Sequence, residues 1–347
     1  MMEIGGRAIG PGQPMYVIAE LSANHMQRYD LAEQLVRDAA AAGADAVKLQ
    51  TYTPDTITLD SDAPPFQILS DSPWAGRRLY DLYEDAYTPW EWYEPLARVA
   101  ETEGVHLFSS PFDRTAVDFL VEQGAPALKI ASFEIVDHGL IAAAAATGKP
   151  MILSTGMATL AEIDEAVRVA REAGVSQLAL LRCNSGYPAP IGEMDLVTIP
   201  HLRDAFDVIV GFSDHTLGTE AAIVARTLGA TILEKHVVLD RSSAALDAEF
   251  SLEPAEFKAM VHSIRAAEQM LGTVRYGPTA AETPSARHRR SLFVVEDIAA
   301  GEPFTTSNVR SIRPGDGLHA RHLNDVLGGV ARESLSRGTP LSWRHLA

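Results

Sequence analysis

Two histidines close apolar runs in this chain, His215 in DVIVGFSDH and His236 in TILEKH. Two imidazoles completed by water and substrate oxygens suit an exchangeable divalent metal, Mn²⁺ first, with Mg²⁺ or Co²⁺ as alternatives. Lys48 and Lys129 sit inside the apolar runs DAVKLQT and ALKIAS. A buried ammonium is costly unless it pairs with a carboxylate, here Glu20 or Glu134, or meets an anion. Ser110, Ser132, Ser154, Ser185 and Ser213 fall at matching positions after successive runs. One such serine is an ordinary helix N-cap. Five, beside two lysines and free backbone N–H groups, make an anion cradle without a glycine-rich phosphate loop.

These residues need a scaffold that gathers strand ends at one place. Short apolar runs at 15–20, 45–51, 105–110, 127–132, 150–155, 177–183, 207–213 and 231–238 read as strands. Amphipathic patterns at 30–43, 115–124, 159–174, 219–229 and 253–272 read as helices, several stopped by glycine. Eight strands alternating with helices or long connections predict an α/β fold, a (β/α)8 or TIM barrel, whose chemistry lies at the C-terminal strand ends. A doubly wound sheet is the competing arrangement, but no GxGxxG follows the first strand. Every predicted strand end carries polar residues, which folding alone does not require. The long excursion at 53–89, rich in aromatic and apolar residues, is expected to be an ordered lid.

Residues 1–275 are thus expected to form the catalytic domain and 276–290, rich in Pro, Ala and Arg, a linker. Residues 291–347 read as a small β-rich domain that docks on the barrel or on another subunit. The net charge of −17 argues against nucleic acid and anionic membranes as partners. No apolar run is long enough to span a bilayer, and no secretory leader is visible at the start. The single cysteine, Cys183, excludes an intrachain disulfide and fits a reducing cytoplasm; it sits in an apolar run and is expected to pack.

The segments IAELSANH, AGADAVKLQTY, FSSPFD, LKIASFE, ILSTGMATL, YPAP, VGFSDHTLG, LEKHVVLDR and SIRPGDG carry a resemblance. From about Tyr16 to the C-terminus the chain resembles the sialic acid synthases, which condense phosphoenolpyruvate with an N-acetylated amino sugar. Its wording (ELSANH, KLQTYTPDTIT, KIASFEI, FSLEPAEF) is most similar to the pseudaminate branch. The resemblance implies an antifreeze-like (SAF, β-clip) domain at the C-terminus. It implies His215 and His236 as metal ligands, and Lys48, Ser110, Lys129, Ser132, Ser154, Ser185 and Ser213 as the phosphoenolpyruvate site. Glu20 and Glu134 would handle protons or water, with His236 counted among the catalytic groups. Gln50, Tyr187 and Asp247 would surround the sugar. Arg313 would reach the active site of a partner in a homodimer with swapped C-terminal domains.

Two departures stand out. Ala244-Ala245-Leu246 precede Asp247 where that branch usually reads Gly-Gly-Pro, which leaves the placement of Asp247 open; Met26 stands where Asn is usual. Substrate alternatives also remain: N-acetylmannosamine or the legionaminate precursor in the same reaction. A different chemistry, a Schiff-base aldolase using Lys129, is a further alternative.

Overall fold

In the computed structural model, which describes residues 1–69 and 74–347, the chain divides into two units, Met1–Gly272 and Thr273–Ala347. The first begins with a hairpin, β1 (Met2–Ile4) and β2 (Arg7–Ile9). Gly5 and Gly6 form its two-residue turn, both at positive φ, as a hairpin turn of matching twist requires. Eight parallel strands then close into a barrel: β3 (Tyr16–Glu20), β4 (Ala46–Thr51), β5 (His106–Pro111), β6 (Leu128–Ile130), β7 (Met151–Ser154), β8 (Leu178–Cys183), β9 (Ile209–Asp214) and β10 (Ile232–His236). β10 pairs with β3 to complete the ring.

The two-residue period of each strand sorts its side chains. Val17, Ala19, Val47, Leu49, Met151, Leu153 and Leu233 face outward into a core shared with the helices. Tyr16, Ile18, Ala46, Phe108, Ile152, Leu181 and Ile232 face inward, and Met2, Ile4 and Ile9 of the hairpin plug that interior from below. The interior is tight: a Cβ at Gly211 would overlap the Ile232 carbonyl and the Leu181 side chain. Going up the barrel, the same inward alternation runs from apolar residues to Glu20, Lys48, Lys129, Ser154, Ser213, Glu234 and His236.

The excursion after β4 is built of a short helix at Pro54–Ile57 and a second at Leu79–Ala86. Gln67 and Arg78 bridge its two arms. Residues 70–73 of the expected lid lie outside the described residues.

The second unit pairs β11 (Ser291–Val294) with β12 (Val309–Ile312), antiparallel. Leu292, Val294, Ile298, Phe304, Val309, Val326 and Leu341 form a core of its own. The unit starts at Thr273, so the stretch expected as a linker falls within it. Gly315 N–H donates to the Arg287 carbonyl at 2.9 Å, which ties that stretch to the turn after β12. Among the described residues no helix is long and apolar enough to cross a membrane.

Candidate active site

Register places the polar residues side by side: His236 lies opposite Glu20, Glu20 opposite Lys48, Gln50 opposite Ser110, and Glu234 opposite Ser213. They surround a cavity of about 690 Å³ at the C-terminal ends of the strands. A larger one, about 1170 Å³, opens at the opposite end beside Arg7, Arg171, Arg203, Arg226 and Arg265. Those guanidinium groups already bind carboxylates or backbone carbonyls of the first unit. Only N-terminal strand ends, Leu178 and Ile209 among them, line that cavity, so the chemistry belongs to the smaller one.

The two inner lysines differ. Lys48 forms an ion pair with Glu20, lies 3.5 Å from Glu234, and donates to Ser110 Oγ at 3.0 Å. Burial opposes its charge, but the two carboxylates outweigh that and raise its pKa. Lys129 is just as buried, yet its one hydrogen bond goes to the Ile130 carbonyl at 2.8 Å. Among the described residues no carboxylate lies within ion-pair distance of it. Burial pulls its pKa down, and the more distant Glu234 opposes that. A buried ammonium without a counter-ion is a place for an anion. Lys235 is the outward contrast: it pairs with Asp214 at 2.9 Å on the far face of the barrel, where both are solvent-free.

Beside Lys129 the hydroxyls gather. Ser132 Oγ accepts from Gly156 N–H at 3.2 Å, and a Cβ at Gly156 would overlap both Ser132 Oγ and Ser185 Oγ. Glycine therefore keeps the space between two hydroxyls open. Among the described residues Ser154 Oγ, Glu134 Oε2, Glu234 Oε2 and His236 Nδ1 are buried without a hydrogen-bond partner. Such atoms are rare in folded proteins and mark a place where a ligand or water completes the bonding. Burial raises the Glu134 carboxyl to about 7. Glu20 is also raised by burial, with Lys48 opposing the shift.

His215 and His236 come together with ring centroids 5.3 Å apart. His215 Nδ1 lies 2.8 Å from the Asn184 carbonyl; since a carbonyl only accepts, Nδ1 carries the proton and Nε2 keeps a free lone pair. His236 Nδ1 has only Asp247 Oδ2 near it, at 3.9 Å, and burial keeps this imidazole neutral. Burial opposes the charge on His215, but the neighbouring Cys183 holds its pKa above the ordinary value; once both rings are neutral, their open nitrogens fit a divalent ion. Among the described residues no group of three or more His, Cys, Asp or Glu side chains could hold one. A metal held by this pair would take its remaining ligands from water and substrate oxygens. Cys183, free and buried, packs 3.8 Å from His215 Nδ1.

The residues expected to surround the sugar form a network. Asp247 is buried and accepts from Ser22 Oγ; Gln50 Nε2 donates to the same Ser22 Oγ at 3.2 Å. Asn24 Nδ2 donates to Ser251 Oγ at 2.9 Å and to the Val237 carbonyl at 2.7 Å, stitching the turn after β3 to the loop after β10. Met26 packs on the cluster of Val238, Ala245 and Ala248. The two departures noted in the sequence thus touch: the Ala244-Ala245-Leu246 stretch is filled in by Met26, and Asp247 still reaches the cavity. Tyr187 packs on His215 with the rings tilted by 39° and their centroids 4.5 Å apart, and the Trp74 ring of the excursion lies 5.9 Å from that of Tyr187. Trp74 Nε1 donates to the Leu246 carbonyl at 3.1 Å. Ile57, Leu79, Leu82 and Tyr83 of the excursion add an apolar wall.

All the site residues expected from the sequence line this cavity except Ser110 and Arg313. Ser110 lies beneath, holding Lys48, and Arg313 follows β12 in the second unit. Ser22 and Glu234 were missed as site residues. For Glu234 the signal was available: it shares the inward period of Ile232 and His236. Ser22 has no comparable signal, because its partner Asp247 is 225 positions away.

Residues 35–276 match the NeuB family and residues 289–347 match the SAF domain. The chain is 41% identical to a pseudaminic acid synthase of Campylobacter jejuni over 340 residues, 98% of each sequence. It is 42% identical to one of Helicobacter pylori over 332 residues, covering 95% of this chain and 97% of that one. Among solved structures, the N-acetylneuraminic acid synthetase of Leptospira borgpetersenii superposes with a TM-score of 0.73 at 30% identity, over 82% of this chain and 94% of that one.

Proposed function

Because this chain belongs to the NeuB family and ends in a SAF domain, we infer that it condenses phosphoenolpyruvate with 2,4-diacetamido-2,4,6-trideoxy-altrose, giving pseudaminic acid and phosphate. The observation that carries the chemistry is Lys129, a buried ammonium with no carboxylate at ion-pair distance among the described residues, in one cavity with an edge-to-face histidine pair. The choice of sugar rests on identities of 41–42% over nearly the whole chain to two pseudaminic acid synthases. The apolar wall of Ile57, Leu79, Leu82 and Tyr83 supports it, since a 6-deoxy sugar presents a methyl group.

Lys129, Ser132, Ser154, Ser185, Ser213 and the Gly156 N–H hold the phosphate and carboxylate of phosphoenolpyruvate, while Lys48, fixed by Glu20 and Ser110, adds positive charge. Gln50, Tyr187 and Asp247 orient the open-chain sugar so that its aldehyde faces C3 of phosphoenolpyruvate. His215 and His236 would hold the metal, Mn²⁺ by the chemistry of the donors, which when bound supplies Lewis-acid polarisation of the aldehyde. C3 attacks the aldehyde carbon, the C–C bond forms as the C=O π pair moves onto oxygen, positive charge develops at C2, and the alkoxide becomes a hydroxyl by taking up the equivalent of the proton that the water releases. Water adds at C2 and gives up a proton to Glu134, with Glu20 as the other candidate acceptor. The C2–O bond then breaks and phosphate leaves with the bridging oxygen. Arg313 acts from the C-terminal domain of the partner in a homodimer. The reaction takes place in the cytoplasm, where Cys183 stays reduced.

The test is mass spectrometry of the product after incubation with phosphoenolpyruvate, Mn²⁺ and each candidate sugar in turn. The 2,4-diacetamido sugar is expected to be consumed; exclusive use of N-acetylmannosamine or the legionaminate precursor would overturn the choice of sugar. With ¹⁸O at the bridging position, label is expected in phosphate, and label kept in the sugar acid would rule out C–O cleavage. The depressed Lys129 ammonium also has the property of a Schiff-base lysine. Borohydride with pyruvate is expected to trap no adduct, and a trapped Lys129 would reverse the mechanism.

A further inference from the structure

Ser22 has a backbone that favours glycine. Its φ is 47°, in the left-handed region where a side chain costs energy. A serine held there without use for its side chain would be a poor choice over glycine. The hydroxyl is in use on both sides: it donates to the Asp247 carboxylate and accepts from Gln50 Nε2 at 3.2 Å. The backbone contributes separately, with Ser22 N–H donating to Glu20 Oε1 at 2.8 Å. Ser22 is buried and lines the cavity beside both partners. Asp247 itself sits on a long loop after β10, so its carboxylate needs an anchor on the barrel, and Ser22 at the end of β3 provides one.

We propose that Ser22 is a positioning residue for the sugar: its hydroxyl fixes the Asp247 carboxylate and the Gln50 carboxamide as one recognition unit for the polar groups of the acceptor. This rests on the condensation reaction inferred above. Ser22 Oγ bonds to Asp247 and Gln50 and to none of Lys129, Ser132, Ser154 and Ser185, so loss of the hydroxyl is expected to bear on the sugar rather than on phosphoenolpyruvate.

The test uses the full-length protein and the substitutions Ser22→Gly, Asp247→Asn and both together. Ser22→Gly removes the hydroxyl, keeps the N–H to Glu20 and relieves the backbone, which separates positioning from folding. Its kcat/KM for the sugar is expected to fall about 10- to 100-fold. Its KM for phosphoenolpyruvate should stay within about twofold, and its melting temperature should match or exceed that of the wild type. In the Asp247→Asn background Ser22→Gly should add less than about twofold, because both changes break the same unit. Unchanged sugar kinetics, a loss confined to phosphoenolpyruvate, or losses that multiply would each overturn the proposal. The wild type is first assayed across the sugars, and the variants with whichever sugar it consumes. A different sugar thus overturns only the choice of substrate, whereas a chain that consumes none overturns both readings.

Discussion

His215 and His236 face each other at 5.3 Å between ring centroids, yet only His215 has its Nδ1 tied to a backbone carbonyl. The pair is asymmetric: His215 is oriented by Asn184, whereas among the described residues His236 Nδ1 has no hydrogen-bond partner. The metal role proposed for the pair rests on its two open ring nitrogens.

Removing divalent metal with a chelator is therefore expected to abolish turnover, and re-adding Mn²⁺ to restore it. His236→Ala should lose at least about a thousandfold in kcat/KM. Full activity in chelator-treated protein would remove the metal from the scheme.

Gly156 separates the hydroxyls of Ser132 and Ser185. Gly156→Ala should push them apart and raise KM for phosphoenolpyruvate about tenfold or more, with sugar KM little changed. Steady-state kinetics with each substrate varied decides this, and an unchanged phosphoenolpyruvate KM counts against the cradle.

Glu134 holds its proton to about pH 7 in the fold, against 4.5 as its ordinary value, because burial penalises the charge. Its contribution to stability is then fully present below about pH 4.5 and is lost as pH rises through 7. Glu134→Gln removes that dependence. The unfolding free energy of the wild type relative to the variant should fall by roughly 3 kcal/mol, at most, between pH 4 and pH 8. Urea denaturation at both pH values measures it; parallel curves would place Glu134 in contact with water. The same group predicts an activity limb near pH 7 that disappears in the glutamine variant.

His236→Ala and Arg313→Ala chains, each inactive, are expected to complement when mixed. If Arg313 works across subunits, random pairing leaves roughly a quarter of sites intact. No recovery, with mixed dimers demonstrated by native mass spectrometry, would place Arg313 outside the partner's site.

Much of this was legible in the residues. The eight strands were readable because buried parallel strands are short apolar runs, and the need of Lys48 and Lys129 for a carboxylate or an anion because an ammonium in such a run is costly. The N-terminal hairpin was missed although Gly5-Gly6 between apolar pairs is a strong turn signal. Its strands have three residues each, too few to show alternation. Glu234, Lys235 and His236 looked alike as a polar strand end, but the two-residue period sends Lys235 outward to Asp214 and the other two into the cavity.

The sequence by itself determined which residue types stand at the strand ends and that a barrel would bring them together, because local apolar periodicity dictates both. Only the tertiary structure decided which charges are paired. Lys48 finds Glu20 on the neighbouring strand, whereas Lys129 finds no carboxylate among the described residues, a difference set by register. It also decided that Met26 fills the altered loop and that Ser22 anchors Asp247. Those contacts join the first and last strands of the barrel, whose adjacency exists only once the ring closes.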